Sequence, residues 1–305
     1  MKKLRVSSYF ITSALAAILL PHATWAADLY IPKPTAEVAP ELVLPAVSGI
    51  NGKLELDGGF IDAFSSNSSW DGDFKAAGSL SIPVGTAIGI QGDVMLTDSS
   101  PTGFVYGGAV HVFTRDPNNY LIGLTGGAFR TPQGTVSAIG PEAELYMGKF
   151  SIEAWAGVDN LTYDSAALNG MTGAFGFIDG VYYLTDDFRL SLGASSVLNN
   201  NAFHLGSEYQ FQGLGFPLSV VADARLGNQA SIFTIGLKGY FGAPDKSLID
   251  RQRQDDPPNR ALDLFTAAGS APYATPPTTT TPTCPDGETW NGETCIIDTP
   301  PQVDE

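Results

Sequence analysis

Between Ser231 and Gly242 the chain reads SIFTIGLKGYFG, an alternation with a period of two. This feature limits the fold more than any other. In an extended strand successive side chains point to opposite sides, so Phe233, Ile235, Leu237, Gly239 and Phe241 share one face while Thr234, Gly236, Lys238 and Tyr240 share the other. A strand of this kind divides an apolar environment from a hydrated one. A single such strand also suits any half-buried antiparallel sheet, so the argument turns on how often the pattern returns.

From Ser48 to Gly242 it returns in runs of about ten residues, the length of a tilted strand that crosses the hydrocarbon layer, and the region divides into about 12 of them. Lys53, Glu55 and Asp57 oppose Leu54, Leu56 and Phe60, and Asp93 opposes Ile90 and Val94. Arg115 ends the fourth run on the side of His111. Glu142 and Glu144 oppose Ile139 and Leu145, and Glu153 and Trp155 oppose Ile152 and Ala154. Asp179 marks the least regular run, placed with Ile178 and Tyr182 outward. Arg189, His204, Glu208, Asp223 and Arg225 continue the polar face to Lys238. Aromatic residues near run ends, such as Phe74, Phe104, Tyr120, Phe150 and Tyr182, fit interfacial girdles. Pro141 predicts a bulge or weakened pairing in its strand.

The start of the chain is a secretory signal, residues 1–26. Lys2, Lys3 and Arg5 precede the apolar run Tyr9 to Leu20, and Thr24 and Ala26 supply small residues for cleavage after Ala26. That run is shorter than the ~20 residues of a spanning helix. With no longer apolar run downstream, a membrane location requires a closed barrel. A soluble β-sandwich or lipocalin-like cup shares the alternation, but a sandwich rarely turns carboxylates inward across so many strands, whereas a barrel lumen accepts them. The formal charge of −16 over 305 residues argues against nucleic-acid binding, which needs a basic footprint. Residues 27–47, with Pro32, Pro34, Pro40 and Pro45, read as an extended periplasmic leader. Those prolines disfavour a pore-threading helix there.

The ADLY start at Ala27 to Tyr30, the proline-rich leader, the Gly-aromatic strands, the closing GYFG and the stretch DKSLIDRQRQDDPP (Asp245 to Pro258) resemble the porin-like outer-membrane β-barrels of alphaproteobacteria. The resemblance spans residues 27 to about 258 loosely. It implies a closed antiparallel up-and-down transmembrane β-barrel in the outer membrane of a Gram-negative cell, embedded in outer-membrane lipid. Phe233, Ile235, Leu237, Gly239 and Phe241 resemble the closing-strand signal presented to barrel assembly machinery. The strand number and the carboxyl tail depart from the eight-stranded members.

Residues 243–305 change character. Asp250 to Arg260 is charged and interrupted by proline, Ala261 to Ala268 has room for a helical turn or two, and Pro272 to Pro282 is a Pro/Thr linker that cannot bury a core. Disorder is the expectation, and an even strand number places this tail in the periplasm with the leader. Cys284 and Cys295 suit a disulfide across a hairpin loop at Asn291-Gly292. A metal site there lacks histidine partners. Trp290 offers a contact for a periplasmic or cell-wall partner.

The lumen set is Lys53, Glu55, Asp57, Asp93, Arg115, Glu142, Glu144, Glu153, Arg189, Glu208, Asp223, Arg225 and Lys238. Its acid excess favours cations wherever water passes, and about twelve strands leave a bore that long side chains narrow. The sequence therefore predicts a small porin or narrow channel for passive, weakly cation-selective diffusion of small solutes, with no cofactor. The alternative is a nonconducting structural or adhesion barrel with binding loops at Ser65 to Gly72 and Asn160 to Met171. A barrel hydrolase, built on His111, His204 or the paired acids Glu142 with Glu144 and Glu55 with Asp57, ranks last; its best competitor is a lumen salt-bridge network.

Overall fold

Alternation of side chains becomes a closed wall when every strand finds two neighbours, and the computed structural model has that wall. It describes residues 44–63, 70–99, 102–243, 245–274, 284, 288–290 and 294–297. The signal segment, the leader as far as Val43, most of the loop Ser65 to Gly72 and the Pro/Thr linker from residue 275 to 283 lie outside these.

Twelve antiparallel strands run in order: β1 (Asn51–Ala63), β2 (Asp71–Val84), β3 (Ile88–Ser99), β4 (Gly103–Asp116), β5 (Tyr120–Arg130), β6 (Gly134–Met147), β7 (Phe150–Tyr163), β8 (Met171–Thr185), β9 (Phe188–Val197), β10 (Asn200–Phe211), β11 (Leu218–Gly227) and β12 (Ala230–Phe241). Each pairs with its sequence neighbours, and β12 closes on β1 with Leu56 opposite Leu237 and Phe60 opposite Phe233. Closure leaves no strand edge unpaired.

Burial follows parity around the ring. Along β3, Ile88, Ile90, Val94 and Leu96 are exposed on the outside while Gln91, Asp93, Met95 and Thr97 are buried inside. Phe233, Ile235, Leu237 and Phe241 of β12 are exposed on the outside in the same way. The irregular eighth run obeys the rule too, with Ile178 and Tyr182 exposed outward and Phe175, Phe177, Val181 and Tyr183 buried inward. Phe74, Phe104, Tyr120, Phe150 and Tyr182 are exposed on the outer surface. Pro141 produces no bulge. The β6 and β7 register is the same on either side of it, and the ladder lapses only between Ile139 and Glu142, as expected where a residue has no N–H to give. The one register shift among the described pairings lies between β8 and β9, at Tyr183 to Thr185.

The ring has two mouths. At the near mouth β1 begins, β12 ends and the even strands turn back, tightly at Gly85 and Gly148, both with positive φ. At the far mouth the odd strands end, and the connections there include Thr131 to Gln133, Asp164 to Gly170, and Leu198 with Asn199.

Between residues 245 and 274 the chain departs from the expected disorder. It forms α1 (Leu248–Gln254), α2 (Arg260–Ala267) and a 3-10 turn (Ala271–Tyr273), and later a two-stranded hairpin of β13 (Glu288–Trp290) and β14 (Cys295–Ile297), with Cys284 joined to Cys295. Ser247 caps α1 by accepting from the Asp250 N–H, and Asn259 caps α2 by accepting from the Leu262 N–H, satisfying backbone donors that would otherwise stay orphaned. Both helices lie inside the ring. Leu248 packs with Val181, Tyr183 and Tyr240, while Ala261, Leu264, Phe265 and Ala268 pack with Val105, Phe129, Val136, Leu161 and Leu198. The helical turn or two expected at Ala261 to Ala268 is α2, where the apolar positions 261, 264, 265 and 268 form one helical stripe and the barrel wall supplies a core for it to join.

Candidate functional site in the barrel lumen

Parity sends the charged set inward, and the helices then fill the space between. Near the β1 and β12 seam, Lys238 reaches Glu55 at 2.9 Å and Glu208 at 3.0 Å, and the Tyr240 hydroxyl donates to Glu208. Arg189 donates to both oxygens of Glu153, at 3.1 and 3.0 Å. Glu144 accepts from the Tyr146 hydroxyl, Arg115 lies 4.9 Å above the Phe113 ring, and Lys53 donates to the Pro257 carbonyl oxygen. Asp57 is buried, and Asp223 borders a cavity of ≈ 150 Å³ together with Lys53, Glu55, Arg225, Arg260 and Asp263.

At the centre, His111 has Asp93 at 2.8 Å from Nε2 and Glu142 at 2.9 Å from Nδ1. The same Asp93 oxygen accepts the backbone N–H of Arg260 at 2.8 Å. The Arg260 guanidinium donates to Asp263 at 2.9 Å, lies 3.6 Å from Glu142 and covers the Trp155 ring at 5.9 Å. Lower down, the Arg251 guanidinium donates to Gln210 at 2.9 Å and the Ser81 hydroxyl to Asp256 at 3.4 Å.

Towards the far mouth the lumen wall turns apolar. Trp155 is wholly buried, 4.6 Å from Phe175 and 5.6 Å from Phe177 between ring centroids, and Phe129 meets Phe265 edge-on at 5.7 Å. This apolar half is not legible in the sequence, whose inward face is marked by its charged residues. Of the helices that fill it, α2 matches the turn or two expected at Ala261 to Ala268, whereas α1 and the placement of both in the lumen were not expected. Their caps and stripe were visible in Ser247, Asn259, Leu264 and Phe265, but nothing local to the tail shows that a ring of strands surrounds it.

One cluster has the outline of a hydrolytic triad. The Ser195 hydroxyl lies 2.6 Å from His204 Nε2, and Asp179 lies 3.2 Å from Nδ1. Two features argue against nucleophilic work there. Arg225 also contacts Nε2, at 3.1 Å, occupying the nitrogen that would take the serine proton, and Ser195 is buried and outside the lining of the cavity. Glu55, Glu144 and Glu142 are engaged with Lys238, Tyr146 and His111 in turn, and among the described residues no group of three or more His, Cys, Asp and Glu is arranged to hold a metal ion.

No family model matches the chain, and no curated protein matches it in sequence. Among solved structures it is similar to the KdgM porin, at 8% identity over 62% of this chain and 99% of that one, with a TM-score of 0.43. An outer-membrane channel from Pseudomonas putida F1 matches at 13% identity over 67% and 99%, with a TM-score of 0.44. The translocator domain of the autotransporter NalP from Neisseria meningitidis matches at 10% identity over 64% and 88%, again with a TM-score of 0.44. Identities this low do not bear on what the chain does.

Proposed function

We propose that the protein is an outer-membrane β-barrel channel whose lumen holds the chain's own carboxyl segment as a plug, closed to solutes while the plug is seated. The outward face supports the membrane location, because leucine, isoleucine, valine and aromatic side chains stand exposed on strand after strand, an arrangement that water penalises and acyl chains accept. The orientation that fits the short near-mouth turns puts the leader and those turns in the periplasm.

The observation that carries the closed state is the seal around Leu264 and Phe265. Both side chains are buried against inward-facing Val105, Phe129 and Val136, and such a wall stripped of its plug would present apolar surface to water. Passive, weakly cation-selective passage of small solutes then belongs to an unplugged state, with the acid excess of the strand set giving the preference. The lipid-facing side of β12 is the surface that barrel assembly machinery would engage.

Planar-bilayer recording tests this. The full chain is expected to be silent, and Leu264→Ala with Phe265→Ala in one chain is expected to give discrete cation-preferring steps. Steady conductance by the unaltered chain would refute the closed state. Silence in both would favour a nonconducting anchoring barrel, which the apolar seal also suits.

A further inference from the structure

The plug does more than fill the lumen, because it travels in one direction. At the near mouth the Leu248 N–H donates to Asp187 at 3.2 Å, the Ile249 N–H to the Asp186 carbonyl oxygen at 3.0 Å, and the Ser48 N–H to the Gln254 carbonyl oxygen at 3.0 Å. At mid-height Asn259 donates to the Gly78 carbonyl oxygen at 3.0 Å and the Arg260 N–H to Asp93 at 2.8 Å. At the far mouth Asn200 donates to the Ala267 carbonyl oxygen at 2.9 Å, the Tyr163 hydroxyl to that of Ala271 at 2.7 Å and the Thr131 hydroxyl to that of Pro272 at 3.1 Å. Asn200, Tyr163 and Thr131 all sit where odd strands end. An even strand number therefore returns β12 to the near mouth, but the chain that follows does not stay there.

We infer that the protein carries its own carboxyl segment through the barrel and presents the disulfide-closed hairpin of β13 and β14 on the membrane face opposite the one where β1 begins. This rests on the membrane reading above, under whose orientation that face is the cell exterior. A return to the near side is barred on both routes. The lumen is already filled by α1, α2 and their ion pairs. The alternative path crosses lipid, which a Pro/Thr run from Ala274 to Thr283 followed by Asp286, Glu288, Glu293 and Asp298 does not enter. No lysine or arginine follows Arg260, so every charged side chain of the presented segment is acidic. Its Pro/Thr run has the composition of an extended spacer. The barrel thus serves as a display platform for a small covalently closed acidic module.

A Glu-specific protease applied to intact cells tests this on the unaltered protein. The expected result, read after reduction of the Cys284–Cys295 disulfide, is cleavage at Glu288 and Glu293 with loss of the peptide beyond Glu288, and the barrel left whole in the outer-membrane fraction. A tail that survives on intact cells and is cut only after the outer membrane is permeabilised would overturn the inference. In parallel, an epitope after Glu305 is compared with one in the far-mouth connection at Ser165 to Leu168 and one in the near-mouth turn at Gly148-Lys149. The tail epitope should bind antibody on intact cells as the far-mouth one does, and binding that follows the near-mouth epitope overturns the inference. Absence of the protein from the outer-membrane fraction would instead sink the membrane reading, and the inference with it.

Discussion

The backbone N–H of Arg260 donates to Asp93 across 2.8 Å, although 167 positions separate the two residues. Asp93 also faces His111, and Arg260 faces Glu142, Asp263 and Trp155, so one residue of the tail completes the charge balance of three strands. Removing one partner from a buried charge cluster leaves the others unpaired, which costs far more than the pair contributes.

Arg260→Met is therefore expected to destabilise the seated plug by roughly 3–5 kcal/mol. Denaturant unfolding followed by tryptophan fluorescence reads this, since Trp155 lies under the guanidinium. An unchanged midpoint would mean that the plug is anchored elsewhere.

Phe129 and Phe265 meet edge-on at 5.7 Å. Each single change to alanine should cost roughly 3–5 kcal/mol by leaving a cavity. A double-mutant cycle should return a coupling of roughly 0.5–1.5 kcal/mol, and strict additivity would show that the helix does not bear on this wall.

Gly140 and Gly92 should respond unequally to alanine. A Cβ on Gly140 would lie 1.8 Å from the Ala156 carbonyl oxygen and 2.7 Å from the Gly157 Cα, whereas one on Gly92 meets nothing within 4 Å. The first change is expected to destabilise by about 1–3 kcal/mol through overpacking and the second to leave thermal unfolding unchanged.

The wall was legible because period-two alternation is a local property that every strand carries in its own residues. Even the irregular run around Asp179 reads with the correct faces, since Ile178 and Tyr182 must share a side whatever pairs with them. The plug was not legible for the opposite reason. Arg251, Asp256 and Arg260 look like solvated charges in a proline-broken tail, and only a barrel closed around them turns them into buried partners of Gln210, Ser81 and Asp93. The apolar lumen half escaped for a related reason. Val105, Phe129 and Val136 occupy inward positions that a water-filled bore would reserve for polar side chains, and their presence makes sense only beside Leu264 and Phe265.

Phe241 precedes Leu248 in the chain, so the last hoop is fastened upstream of the thread that it encircles. Drawing the tail through a finished hoop would mean pulling a covalently knotted end past Lys238, Arg189 and Trp155. Zipping β12 to β1 around a tail already laid inside needs no such passage. The geometry therefore predicts a barrel that is corked as it closes, with sealing and closure expected as a single step of biogenesis.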